Sequence, residues 1–330
     1  MSRKKVLIIT HTNDNISVDK VTEFIRHAGG EVIRFNVDRY PLDYRLSSIY
    51  DGREWQIVLE NDQESHNLHD IEACWYRRSF NLGTGLKEMM EKEYLGPTML
   101  EVKRTLFGML ESLPCFHIEK YSVYRRLDSK EEQLRMAEKH GLKIPATCIS
   151  NSPQHTKEFI DAHDHVITKM QSAFAIYKGE QEHVVFTNEV TPDHLHDLDS
   201  LALCPMTFQE KLEKKLELRV TIVGKKIFAF SVDSQRVANA KVDWRKEGVS
   251  MIEDWEPYVL PSTIEKKLLS FMEDYKMNYG AIDIIVTPKD EYYFLEINAA
   301  GEYFWLDKLC NNDISRQIAD VLLGKEERTL

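Results

Sequence analysis

Cysteine, glycine and surplus positive charge are all scarce in this sequence, and each scarcity removes a class of function. The five cysteines (Cys74, Cys115, Cys148, Cys204, Cys310) are odd in number and irregularly spaced, with no C-x-x-C. Neither a disulfide framework nor a zinc site is indicated, and a reducing cytoplasm is the expected setting. A formal net charge of −11, with the lysines and arginines dispersed, argues against a nucleic-acid partner. The apolar run near the start, Val6 to Ile9, is too short for a signal segment or a membrane span, so no membrane partner is expected. The turn after it, His11 to Asn15, has no glycine and so lacks a dinucleotide fingerprint. No internal repeat or low-complexity linker appears.

What remains is a globular chain of 330 residues, 42% hydrophobic and 29% charged, long enough for two or three packed units. Lys5 to Thr10, a helix over Val18 to His27 and a second strand after Gly30 form a β-α-β unit, which predicts a parallel sheet with a right-handed crossover. Shorter antiparallel strands are expected between residues 43 and 60. The apolar stretch Ala73 to Tyr76 ends abruptly in Arg77 and Arg78. These two are candidates for substrate binding: they present either a guanidinium fork to a carboxylate or phosphate, or a surface salt bridge. Residues 87–112 read as one amphipathic helix burying Met89, Met90, Leu95, Met99, Val102, Leu106 and Leu110, with a break or kink at Gly96-Pro97.

A second unit begins near Ser122. Asp128 or Ser129 caps a helix that His140-Gly141 ends. Lys130 sits in its first turn, against the helix dipole: a solvated lysine, or one aimed at a phosphate. Lys169 emerges from the apolar run Val166 to Thr168 and needs an anionic partner. The pairs His163/His165 and His194/His196 have no third soft ligand and are expected to be solvated. On a strand, Glu217 and Arg219 would share one face. A helix carrying Ile264, Leu268, Met272 and Tyr275 and a closing helix from Ile314 to Leu323 complete the pattern.

Ala281 to Thr287 and Tyr292 to Asn298 are apolar and aromatic runs about a Pro-Lys-Asp-Glu turn, a β-hairpin. Centred on Lys289-Asp290, its register sets Asp283 against Glu296, Ile282 against Ile297 and Ile284 against Leu295. Opposed like charges destabilise a hairpin, and the strand period places Asn298 on the face of Glu296. Either the face is simply acidic and exposed, or a hard cation such as Mg2+ sits among the three, bridging nucleotide phosphates.

The Asp283…Glu296-x-Asn298 pattern on a terminal hairpin resembles the metal-binding end of the ATP-grasp ligases. More narrowly, YRR from Tyr76, FAIY from Phe174, CPMTFQE from Cys204, LELRVTIVG from Leu216, DWRKEG from Asp243, NYGAIDIIVTP from Asn278 and LEINAAGEYFW from Leu295 are similar to the microviridin-type graspetide synthetases, nearly over the full length. The resemblance implies an α/β (α+β) ATP-grasp fold: an N-terminal parallel-sheet pre-ATP-grasp domain (1–122), a central subdomain (123–206) and a C-terminal subdomain with the metal site (207–330). It implies an ATP- and Mg2+-dependent ligase acting on a ribosomal precursor peptide, leader plus core, as a homodimer. Residue by residue, it gives Lys130 and Lys169 to the nucleotide, and Glu210, Lys211 and Leu212 to adenine. Glu217 goes to the ribose and Arg219 to the phosphates, where the alternative is a cross-strand salt pair. Arg245 becomes a second positive group on the transferring phosphoryl, Asn298 touches both metal and nucleotide, and Asp193, His194 and Asp197 are leader-binding candidates. The single glycine of QSAFAIYKGE departs from the glycine-rich phosphate lid of the wider superfamily. The GEYFW ending looks more like the ester-forming branch than the amide-forming one. An ATP-grasp ligase acting on free amino acids and a non-catalytic binding module are the rival readings.

Overall fold

The computed structural model describes residues 3–171, 175–178, 181–184, 187–236 and 248–329. The β-α-β unit forms as its pattern requires. Strand β1 (Lys5–Thr10) and β2 (Glu31–Asn36) pair in parallel around α1 (Ile16–His27). Asn15 caps α1 by accepting from the Ser17 amide, and Val18, Val21 and Ile25 face inward. Strands β3 (Arg45–Tyr50), β4 (Trp55–Glu60) and β5 (Ser65–Asn67) make a separate antiparallel sheet. Strands β6 (Ala73–Tyr76) and β7 (Phe116–Ile118) return to the first sheet, whose order is β2-β1-β6-β7, parallel throughout.

The region of residues 87–112 differs from expectation. A short α2 (Leu86–Met89) ends at an extended Met90, and α3 (Lys92–Ser112) runs on with Pro97 inside it. The break falls at Met90-Glu91 rather than at Gly96-Pro97, where the helix runs through the proline. Met89 is exposed rather than buried, while Val102, Leu106 and Leu110 pack on the sheet as expected.

Helices α4 (Tyr121–Arg126) and α5 (Lys130–Lys139) follow. Ser129 caps α5 through the Glu132 amide at 3.2 Å, and Gly141, at φ +73°, turns the chain out of it. Strand β8 (Thr147–Ser150), α6 (Pro153–Asp161), β9 (Val166–Lys169), the hairpin β10 (Ala175–Lys178) and β11 (Gln181–Val184), β12 (Asn188–Glu189), α7 (Pro192–His196) and β13 (Met206–Glu210) come next. Four of these strands form an antiparallel sheet of order β12-β9-β13-β8 over a small core of Val166, Leu201 and Phe208.

The last sheet, β16-β15-β14-β17-β18, is antiparallel: β14 (Leu216–Val223), β15 (Lys226–Val232), β16 (Glu256–Pro257), β17 (Tyr279–Val286) and β18 (Tyr292–Asn298). Its two faces have different fates. Val220, Ile222, Ile282 and Ile284 pack against α5 and α8 (Ser262–Asp274), so α8 lies behind the acidic face as expected. On the other face, Val223, Phe228, Tyr279 and Ala281 share one core with the N-terminal sheet and with α10 (Asp313–Leu322), reached through α9 (Phe304–Asp307). That shared core joins the first and last sheets of the chain. Among the described residues no helix is long and apolar enough to cross a membrane.

One buried acid at this joint gives a pH prediction. Glu119, 2% exposed, accepts from the Asn278 and Tyr279 amides at 2.6 and 2.7 Å, and burial pushes its carboxyl up to about 8. Unfolded, the group titrates near 4.5, so between about 4.5 and 8 the folded chain holds a proton that the unfolded chain has lost. Stability contributed below the lower value is therefore lost progressively as pH rises through this window. Glu119→Gln keeps the acceptor without the titration, and its melting temperature is expected to fall less than that of the unmodified chain between those pH values. Parallel pH curves would show that another group titrates.

Candidate active site

The register of the hairpin holds where it matters and slips one step beyond. Asp283 lies opposite Glu296, Ile282 opposite Ile297, and Ala281 opposite Asn298. The next pair is Ile284 with Phe294, not Leu295, because a bulge falls between Asp283 and Ile284. The extra residue, Leu295, bends β18 directly beside the acids, a frequent place for a bulge next to a site.

Arg219 on β14 is in turn opposite Asp283, so Arg219, Asp283 and Glu296 form one row across three strands. Arg219 Nη1 donates to Asp283 Oδ1 at 2.8 Å, and Lys130 Nζ, from α5, meets Glu296 Oε2 at 2.7 Å. The row thus alternates cation, carboxylate, carboxylate, cation, and Asn298 Nδ2 lies 3.4 Å from Glu296 Oε1 beside it. Burial works most strongly against the charge of Arg219, but Asp283, together with Tyr279 and Glu296, holds the guanidinium above its ordinary value. Arg219 Nε is buried with no hydrogen-bond acceptor among the described residues. Two carboxylates and an amide oxygen are hard donors that fit Mg2+, and the cations at either end suit the phosphates such an ion would carry.

Residues 300–302 turn back onto this row. Three successive carbonyls are held: Ala300 by Arg77 Nη1 at 2.7 Å, Gly301 by the Tyr279 hydroxyl at 2.6 Å and Glu302 by Arg219 Nη2 at 3.1 Å. A Cβ at Gly301 would meet Ala281 Cβ at 2.4 Å and Arg219 Nη2 at 2.7 Å, so only glycine permits the approach. The Glu302 carboxylate accepts from Arg77 Nη2 at 2.6 Å and Asn15 Nδ2 at 2.7 Å, and also pairs with Arg78. The partner of the arginine pair is thus an acid of the chain itself, as in the salt-bridge alternative, but the bridge is largely buried rather than on the surface. Arg77 is 1% exposed and fastened; Arg78 keeps a partly open edge against Phe80. Burial and the neighbouring Arg77 lower the pKa of Arg78.

Several of the remaining candidates lie on the sheet β12-β9-β13-β8 or in the linker that follows it. Lys169, half-buried, ends β9 opposite Thr207. Glu210 ends β13 and its Oε1 accepts from the Ala146 amide at 3.2 Å. Lys211 donates its amide to His165 O at 2.9 Å and its ammonium to Glu189 at 2.6 Å, which lowers the Glu189 pKa. Leu212 follows, in the linker between β13 and β14. Glu217 does share the face of Arg219, but its ionic partner is Lys214 at 3.0 Å, a contact not foreseen from sequence; Arg219 takes Asp283 instead. Arg245 lies outside the described residues. Asp193, His194 and Asp197 are exposed around α7, where His194 Nδ1 accepts from the Thr191 amide at 3.0 Å and so forms half of a capping box. The other histidine pair is divided between Phe159 O, bound by His163 at 2.7 Å, and Glu189, 3.2 Å from His165.

Asn15 and Glu302 were not singled out from sequence. Glu302 was visible only as part of the GEYFW string, and Asn15 only as the end of a polar turn.

Comparison with known proteins places this geometry. A family model described as the MvdD pre-ATP grasp domain matches residues 5–125. An ATP-grasp ligase from Chryseobacterium gregarium, associated with ribosomally synthesised, modified peptides (RiPPs) and solved with ADP and a leader and core peptide, is 53% identical with a TM-score of 0.96. The match covers 99% of this chain and 98% of that one. The macrocyclase MdnC of Microcystis aeruginosa MRC, bound to precursor peptide MdnA, is 38% identical with a TM-score of 0.86, over 97% and 99% of the two chains. The macrocyclase MdnB of the same organism is 28% identical with a TM-score of 0.81, over 97% and 99%. No curated protein matches.

Proposed function

The chain belongs to the RiPP-associated ATP-grasp ligases, the microviridin-type macrocyclases, and from that premise we propose that it closes ω-ester rings in a ribosomally made precursor peptide. The observation that carries the proposal is the row of Arg219, Asp283, Glu296 and Lys130, two hard anionic donors bracketed by two cations. We assign Asp283, Glu296 and Asn298 to Mg2+, which when bound would supply positive charge against the nucleotide phosphates. Lys130 and Lys169 take the phosphates, Glu210, Lys211 and Leu212 the adenine, and Glu217 the ribose. The precursor's leader is assigned to Asp193, His194 and Asp197, near the edge strand β12. The similar ligase solved with ADP, a leader and a core peptide supports a nucleotide and a precursor peptide as the ligands. Residues 1–122, 123–206 and 207–330 are taken as its three units, and the enzyme as a homodimer in a reducing cytoplasm.

A carboxylate is a poor electrophile, and ATP makes it a good one. An Asp or Glu side-chain oxygen of the core peptide attacks the γ-phosphorus, ADP leaves, and an acyl-phosphate results. A Thr or Ser hydroxyl of the same peptide then attacks the acyl carbon; phosphate leaves, carrying away the hydroxyl proton. Arg219, with its unmatched Nε, holds charge on the transferring phosphoryl group, and Arg245 is assigned the same task. No enzyme nucleophile takes part. Positioning and charge stabilisation are what the site contributes.

The test is the intact mass of a Thr/Ser- and Asp/Glu-rich precursor after incubation with enzyme, ATP and Mg2+. Loss of one water per ring, reversed by mild base, is the expected result. Rings resistant to base would make the product an ω-amide to Lys, and an unchanged peptide with turnover of free amino acids would replace the proposal by a different ligase.

A further inference from the structure

Strand β18 is the edge of its sheet, and its outer side is claimed by groups that are not strands. The Phe294 amide donates to Lys143 O at 2.8 Å. Three residues on, Gln133 of α5 plays the part of a missing neighbour: its Oε1 accepts from the Ile297 amide at 2.9 Å, and its Nε2 donates to Ile297 O at 3.1 Å and to Leu127 O at 2.7 Å. The Ile297 amide requires the oxygen on that side, so the amide orientation is set. Gln133 is wholly buried, at 0% exposure, in a stripe otherwise made by Leu134 and Ala137. Ile297 is the residue between Glu296 and Asn298. Lys130, three residues before Gln133 and therefore on the same side of α5, contacts Glu296 itself.

We propose that Gln133 is a positioning residue for the metal site: by completing the hydrogen bonding of Ile297 on the open edge of β18, just past the bulge, it fixes the spacing of Glu296 and Asn298 and ties it to the placement of Lys130. The inference rests on the assignment of those two residues to Mg2+. An edge strand interrupted by a bulge has little to hold its register, and two ligands on one such strand need their backbone held to bind a small ion of strict geometry. A helix side chain gripping the intervening peptide supplies that hold and moves lysine and ligands as one body. Outer groups that orient ligands are worth about 10- to 100-fold in metal affinity.

The experiment uses the full chain carrying Gln133→Leu, which has no polar group to offer, or Gln133→Asn, which is one methylene too short to reach both groups of Ile297. ADP binding is titrated without divalent metal and then across a Mg2+ series, alongside thermal melting. In each variant that folds, metal-free ADP affinity should stay within about twofold of the unmodified chain, while the Mg2+ concentration at half-effect rises about tenfold. Should Gln133→Leu not fold, Gln133→Asn decides. A lowered melting temperature with an unchanged Mg2+ midpoint would overturn the proposal, since that is what a merely space-filling amide would give. Glu296→Gln run in parallel separates the two assignments: if it shifts the Mg2+ midpoint and the Gln133 variants do not, only the role of Gln133 fails. If Glu296→Gln leaves the midpoint unchanged, the metal assignment fails and takes the role of Gln133 with it.

Discussion

Glu296→Ala is expected to abolish ring closure while the protein stays folded. Its carboxylate is a quarter exposed and its partner Lys130 reaches solvent, so removing it strands no buried charge. What is lost is one of two anionic donors to the ion, and a metal's contribution of several kcal/mol corresponds to about a 10³-fold fall in rate. Asp283→Ala should be equally inactive and less stable, because it leaves the buried guanidinium of Arg219 without its carboxylate. Asp283→Asn retains an acceptor for Arg219 and separates the two effects: melting close to the unmodified chain, rate lost. The measurement is the initial rate of water loss from the precursor at saturating Mg2+, with a melt on each sample. A rate near that of the unmodified enzyme in either alanine variant would sink the metal assignment.

Glu302→Ala should have the largest effect on stability. Glu302 is the common acceptor for Arg77, Arg78 and Asn15, and thereby fastens the first βα turn and the end of β6 to the segment following β18. Burial alone would disfavour the charge of Arg77; Glu302, then Asp14, keep its pKa above the ordinary value. Without Glu302, the buried Arg77 and its neighbour Arg78 are left beside each other, with Asp14, at 3.9 Å from Arg77 Nε, as the remaining close acid among the described residues. Breaking a buried pair from one side costs about 3–5 kcal/mol. Arg77→Met should cost less, because Arg78 and Asn15 still satisfy Glu302 and methionine fills much of the space. Denaturant midpoints of the two variants check the order. A loss below about 1 kcal/mol for Glu302→Ala would mean that the cluster behaves as a surface ion pair.

The family strings and the opposition of Asp283 to Glu296 were legible in the residues because each depends on near neighbours. A turn centre and a side-chain period of two suffice to set one carboxylate against another. The cap of α5, expected at Asp128 or Ser129 and found at Ser129, and its end at His140-Gly141 were legible for the same reason. The bulge at Leu295 was not, since its cause lies outside the hairpin, where Lys143 and Gln133 take hold of the outer edge of β18. Nor could spacing say which acid Arg77, Arg219 or Lys130 would choose. Their partners lie 225, 64 and 166 positions away, and among so many acids only the packing of α5, α10 and the two sheets selects one. The sequence by itself singled out Lys130, Arg219, Asp283, Glu296 and Asn298, but not Asn15, Gln133 or Glu302. The tertiary structure decided which of them touch, because a charge pair between distant segments exists only once burial has brought those segments together and removed the water that would otherwise satisfy them.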